Sequence, residues 1–153
     1  DIKSKRSDIQ LHLIGKLQSN KAKFAVKIFD YIHSLDSKKL AKKISEEQEK
    51  QKKKPKIFIQ INVGDEDQKS GIAKADLIEF YNFSKNLGLD IIGLMCIPPF
   101  NQDSSKFFSK MSIFNNQINL KELSMGMSSD YINAIEHKST YLRIGSNIFG
   151  KRA

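Results

Sequence analysis

The sequence predicts an α/β protein built on a parallel sheet. Two observations lead there. Apolar runs of strand length recur along the chain, and segments with helical periodicity separate them one by one. Strict alternation of strand and helix argues for right-handed βαβ units.

The elements follow in order. IQLHLIG (9–15) suits a strand, and LQSNKAKFAVKIFDY (17–31) suits a helix with Leu17, Phe24, Ile28 and Tyr31 on one face. YIHSLD (31–36) is a second strand. SKKLAKKISEEQEKQ forms a helix with a thin stripe of Leu40, Ala41 and Ile44, broken by Pro55. KIFIQINV (56–63) is the clearest strand of the chain. KADLIEFYNFSKNLG (74–88) reads as a helix closed by Gly88. LDIIGLMCI (89–97) is a strand stopped by Pro98 and Pro99. SSKFFSKMSIFNNQI (104–118) places Phe107, Met111, Phe114 and Ile118 on one helical face. KELSMGM (121–127) is strand-like, SSDYINAIEHK (128–138) is a helix capped by serine, and TYLRIGS (140–146) is the last strand. The expectation is six strands and five helices, with a helix after every strand but the last. No linker or composition shift divides residues 1–153 into two domains.

Composition narrows the function classes. The chain has 153 residues, 39% of them hydrophobic and 28% charged, enough for one globular core. Its single cysteine, Cys96, excludes an internal disulfide and points to the cytoplasm. No apolar run approaches the ~20 residues of a membrane span. The polar start, DIKSKRSDIQ, lacks the apolar core of a signal peptide. The net charge of +9 invites a nucleic-acid reading, but residues 38–56 hold nine lysines against three glutamates and so carry +6 of it. Aromatic residues do not interleave with those lysines, so the run reads as a solvated helix and loop.

In parallel α/β folds, chemistry gathers in the loops after the strand C-termini. Two such loops, GMSSD (126–130) and GSNIFG (145–150), are rich in small and hydroxyl residues. Glycine lets backbone N–H groups approach a phosphate, and serine adds hydrogen bonds. Ser128, Ser129, Gly145 and Ser146 are therefore candidate phosphate ligands; two ordinary Gly/Ser turns fit the same letters. Arg143 stands inside a strand that ought to be apolar, two residues before Gly145, and so is expected on the same face. A buried arginine there needs either an anionic ligand or a structural carboxylate. Met95, Met125 and Met127 lie near strand ends, where they either wall a ligand ring or fill core. His12, His33 and His137 are far apart in sequence and lack metal-ligand spacing; His12 alternates with Leu11 and Leu13 and is read as structural, its ring possible in a barrel lumen. Cys96 reads as a small buried residue, not a nucleophile. The acidic loop GDEDQKSGI (64–72) lacks the spacing of a calcium loop.

Four motifs in order, HLIGKLQSNK (12–21), IQINVGDEDQKSGI (59–72), GLMCIPP (93–99) and SMGMSSDYINAIEHKSTYLRIGSNIFG (124–150), carry a resemblance over essentially the whole chain. The chain resembles the pyridoxal 5′-phosphate-binding proteins of vitamin B6 homeostasis, relatives of the alanine racemase N-terminal barrel. The resemblance implies a (β/α)8 TIM-type barrel that holds pyridoxal 5′-phosphate (PLP) through a Schiff base. It implies that Ser128, Ser129, Gly145 and Ser146 hold the phosphate, with Met127 beside them. It also implies that Arg143 approaches the pyridine nitrogen and keeps it unprotonated, which makes the ring a poor electron sink and suits a carrier of PLP.

No lysine here matches the family's Schiff-base lysine, which lies upstream of the HLIG segment. Six strands are two short of eight. The expectation is a barrel of about six βα units, the C-terminal two-thirds of such a protein. The implied function is to buffer PLP and deliver it to apo enzymes, as a monomer, without catalysis, nucleic acid or membrane. The alternative is a fold-type III amino-acid racemase, although alanine racemases carry a further β-domain that supplies the second catalytic base.

Overall fold

A computed structural model describes residues 5–66 and 70–150. Six strands form one sheet: β1 (His12–Leu13), β2 (Tyr31–Leu35), β3 (Lys56–Ile61), β4 (Asp90–Cys96), β5 (Glu122–Met127) and β6 (Tyr141–Arg143). They lie side by side in sequence order, and every pair is parallel. The helices between them are α1 (Ala22–Ile28), α2 (Lys38–Gln51), α3 (Leu77–Asn86), α4 (Ser105–Gln117) and α5 (Tyr131–Glu136), and α6 (Ser146–Phe149) follows β6. With consecutive parallel strands joined by helices, the sheet curls into an incomplete TIM-type barrel.

The larger core lies between the sheet and its helices. Ile57, Ile59 and Ile61 of β3, Leu94 and Cys96 of β4, and Leu123 and Met125 of β5 pack there against Leu40, Phe80, Phe108 and Met111. Side chains of opposite parity turn to the concave face. Tyr31, Phe58 and Met95 form a second buried cluster there, with Ile92 and Tyr141 against it. Irregular register in β2 and β4 shifts the parity once in each strand, so Ile32 and Leu35 both reach the outer core.

Most of the expected helices hold. Leu40, Ala41 and Ile44 are the buried stripe of α2, and Phe107, Met111 and Ile118 are buried in and just after α4. Gly88, at φ +73°, follows α3 as expected.

The first helix departs from its pattern. Ser19–Lys21 is a 3-10 turn, and α1 buries Ala22, Ala25 and Val26 while Phe24 and Ile28 stay exposed. Tyr31 belongs to β2, not to the helix. The sequence pattern followed the large apolar residues, but the small ones let α1 approach its neighbours closely. Phe24, Ile28 and Ile14 therefore lie exposed near the β1 edge, and Leu142, Ile148 and Phe149 near the β6 edge. The first strand is shorter than the run 9–15, and the last ends at Arg143, not at Ser146. A short helix, α6, follows the last strand where none was expected.

Gly93 sits opposite Glu122 across the β4–β5 pair, and a Cβ at Gly93 would lie 2.0 Å from the Glu122 carbonyl oxygen. Gly93→Ala should therefore lower stability by about 1–3 kcal/mol. Gly15→Ala, whose Cβ would meet nothing within 4 Å, should leave it nearly unchanged. Urea unfolding of the two variants checks the contrast.

Candidate functional site

The concave face carries a run of polar groups amid its aromatic rings. Arg143 reaches inward from β6. Its Nη1 donates to Ser124 Oγ at 2.9 Å and its Nη2 to the Cys96 carbonyl at 2.8 Å. Ser124 Oγ lies 2.8 Å from His33 Nδ1, and His33 Nε2 lies 3.0 Å from His12 Nδ1. Ser124 is fully buried and His33 is 2% exposed. Parallel pairing explains the meeting of the histidines. His12 pairs with Tyr31, and His33 is two residues further along the same face of β2. The His12 ring stacks on Tyr31 at 4.1 Å between centroids, and the His33 ring on Phe58 at 4.3 Å.

The electrostatics follow from burial. His33 is pushed down to about 3, first by burial, then by the nearby charges of His12 and Arg143. His12 is also lowered by burial, with Asp30 opposing. Burial lowers Arg143 as well, although an arginine stays charged. The Cys96 thiol is pushed up to about 12 by burial, against the pull of Arg143, so it is no thiolate nucleophile. No group of three or more His, Cys, Asp or Glu side chains suited to a metal occurs among the described residues.

The loops after β5 and β6 meet at the strand C-termini. Ser128 Oγ accepts from the Gly145 N–H at 3.2 Å and the Asn147 N–H at 3.4 Å, and the Asn147 amide donates to the Ser128 carbonyl at 3.1 Å. Gly126, at φ +91°, lets β5 turn into this loop; a Cβ there would lie 2.5 Å from Ala134 Cβ. Asp130 Oδ1 accepts from the Met127 N–H at 2.7 Å and closes the turn. Met127 pairs with Arg143 across the β5–β6 register.

The structure thus brings Ser128, Gly145 and Met127 to one end of adjacent strands, with Arg143 at the end of β6. Ser146 opens α6 beside them, and Ser129 is an exposed turn residue. One expectation is corrected. Ser128 and Ser129 do not open the helix: α5 starts at Tyr131, because Asp130 takes the cap position after a turn. Of the two readings of Arg143, the structural carboxylate does not hold, since its hydrogen-bond partners among the described residues are neutral oxygens. Sequence reasoning missed Ser124 and Asn147, and it weighed His33 only as lacking metal-ligand spacing. For His33 a signal existed: it shares strand parity with Tyr31 and faces a histidine one strand away. Residues 67–69 of the acidic loop lie outside the described residues.

A curled sheet of six parallel strands with alternating helices defines an incomplete barrel of the TIM type. Residues 2–153 match the family described as alanine racemase, N-terminal domain. The pyridoxal phosphate homeostasis protein of Pasteurella multocida is 38% identical over 97% of this chain and 68% of its own length. That of Aquifex aeolicus is 36% identical over 95% and 68%. PipY of Synechococcus elongatus PCC7942, solved with PLP bound, is 34% identical, with a TM-score of 0.87 over 97% of this chain and 74% of that one. An alanine racemase of Clostridium difficile 630 shares the fold at 14% identity and a TM-score of 0.71, over 99% of this chain and 42% of that one. The chain belongs to the alanine racemase N-terminal-domain family.

Neutral His33 links stability to pH. An unfolded histidine titrates near ~6.5. Below that pH the unfolded chain binds a proton that the folded one excludes down to about 3. Stability is therefore full above pH ~6.5 and falls as the pH drops, by up to about 1.4 kcal/mol per pH unit from this group. Urea midpoints from pH 7 to 4 should fall more steeply for the wild type than for His33→Gln; parallel slopes would contradict a neutral buried His33.

Proposed function

We propose that this chain holds pyridoxal 5′-phosphate at the C-terminal mouth of the curled sheet, as part of the intracellular buffering and delivery of that cofactor. The observation that carries the reading is the convergence of the β5 and β6 loops on Ser128 Oγ, next to the strand that carries Arg143. It is supported by the relatives named for pyridoxal phosphate homeostasis and by the PLP-bound PipY.

The residues fit the group. Gly145 has no side chain, and a Cβ there would meet no protein atom within 4 Å. The backbone N–H of Ser146, with the hydroxyls of Ser128, Ser129 and Ser146, suits a phosphate, while the Gly145 N–H is held by Ser128. Met127 walls the adjoining strand end. Arg143 supplies a permanent cation for the ring end of the ligand. PLP, when bound, supplies an electrophilic aldehyde to amines. The chain's own residues bind and orient. Arg143 beside a pyridine nitrogen disfavours its protonation, which fits carriage without turnover. Cys96 adds no nucleophile, and the described histidines His12 and His33 are neutral and tied up in hydrogen bonds. The receivers are apo PLP enzymes, the compartment is the cytoplasm, and the working unit is a single-domain monomer. No described helix is long and apolar enough to cross a membrane. The lysine-rich α2 exposes basic side chains such as Lys38 and Lys43 to solvent and plays no part in the proposed site.

Titration with PLP of the full-length protein, read by absorbance and by retention on dialysis, tests the reading. Gly145→Val should weaken binding by about tenfold or more, the loss of one to two charge-assisted hydrogen bonds. Its thermal stability should change little, because a Cβ there meets no protein atom within 4 Å. Arg143→Glu should shift the absorption of bound PLP, since a carboxylate favours a protonated pyridine nitrogen. Equal retention by wild type and Gly145→Val would remove the phosphate assignment. A matching loss in a Lys50, Lys52 and Lys54→Gln triple variant would move the site to the basic run at the end of α2.

A further inference from the structure

Every strand of the sheet contributes to one polar and aromatic network on the concave face. Arg143 lies on β6, Ser124 on β5, the Cys96 carbonyl on β4, Phe58 on β3, His33 on β2 and His12 on β1. We propose that Ser124 and His33 are positioning residues that fix the Arg143 guanidinium through a one-way chain of hydrogen bonds running from Arg143 to Ser124 to His33 to His12.

The direction follows from donor counting. A guanidinium only donates, so Ser124 Oγ accepts from Arg143. The Ser124 hydroxyl is fully buried and must place its own proton. Among the described residues the acceptor in reach is His33 Nδ1, at 2.8 Å. His33 Nδ1 is therefore unprotonated, and the neutral ring carries its proton on Nε2. That Nε2–H points at His12 Nδ1, 3.0 Å away, which leaves the His12 proton on Nε2. Stacking of His33 on Phe58 and of His12 on Tyr31 holds both ring planes. A proton on His33 Nδ1 would take away the acceptor that the buried Ser124 hydroxyl needs for its own proton, and would reverse the chain at its centre.

The consequence reaches Arg143. With Nη1 held by Ser124 and Nη2 by the Cys96 carbonyl, the guanidinium plane is set from two strands. Breaking the chain frees one of the two anchors. Any ligand group that meets Arg143 then meets a looser cation. This consequence rests on the PLP reading; the proton positions do not.

Two measurements on the full-length protein separate the parts. In the apo protein at pH 7, ¹⁵N shifts of the histidine rings should show His33 and His12 as neutral Nε2–H tautomers, and Ser124→Ala should change the His33 pattern. A cationic or Nδ1–H His33 overturns the chain whether or not PLP binds. With PLP added, Ser124→Ala and His33→Phe should shift the absorption of the bound cofactor and weaken its binding about tenfold. His33→Gln, whose amide both accepts and donates, should keep the wild-type spectrum. A Gln variant as perturbed as the Phe variant, or a Ser124→Ala spectrum identical to wild type, overturns the positioning role. Failure of the wild type itself to bind PLP overturns the cofactor reading and leaves the tautomer result to decide the chain.

Discussion

A permanent cation inside a parallel sheet organises the concave face of this protein. Parallel strands are covered on both sides, and their interior rows are normally apolar. Arg143 breaks that rule, and burying its charge is costly unless its donors are satisfied. The chain meets the demand with two neutral oxygens, a serine hydroxyl and a strand carbonyl, from two different strands. Neutral acceptors form no direct ion pair with the charge, and Asp130 acts on it only through space, so the guanidinium can still meet an anionic or electron-rich ligand. A buried carboxylate in their place would have closed an ion pair and quenched it. The neutral state of His33 follows first from its burial, and the nearby guanidinium adds to it, since a second cation would be repelled in a medium that screens poorly.

The fold was legible because hydrophobic periodicity reports the layer to which each element belongs. Alternating strands and helices gave the parallel sheet, and the apolar stripes of α2 and α4 sit where their spacing places them. The misreading of α1 shows the limit of that logic. Its buried face is Ala22, Ala25 and Val26, while the larger Phe24 and Ile28 are exposed. A periodic pattern weighted by size picks the wrong face when close packing selects small residues. The boundary errors at β6 and α5 have another origin. Serine serves equally in caps and in turns, and only the Asp130 contact to the Met127 N–H shows that the turn comes first.

The site was legible in part, along the same physical line. Glycine, serine and an out-of-place arginine can be seen in a string of letters, because each violates a local expectation. Ser124 and His33 violate none. A serine inside SMGM and a histidine inside YIHSLD pass as ordinary strand residues. Their role appears only when β1, β2, β5 and β6 are laid together and the donors counted. Pairwise sequence spacing cannot report a contact such as His33 with Ser124, which spans 91 positions.

The geometry also changes the part assigned to Ser128. As a ligand residue alone, it would offer one hydrogen bond among several. Here its hydroxyl already accepts from two backbone N–H groups of the neighbouring loop, while its carbonyl takes the Asn147 amide. A hydroxyl that accepts twice still has its proton to give, so Ser128 can donate to a phosphate oxygen without releasing either loop contact. One residue then does two things: it sets the path of residues 145–147 and offers its proton at the surface that path creates. Gly145 contributes the complementary property. It leaves its own position open, where a side chain would stand between the loop and any ligand, while the Ser128 hydroxyl holds its backbone in place. On the proposed reading, the fit of the mouth to a phosphate therefore arises from the joint between two loops, and neither loop taken alone has it.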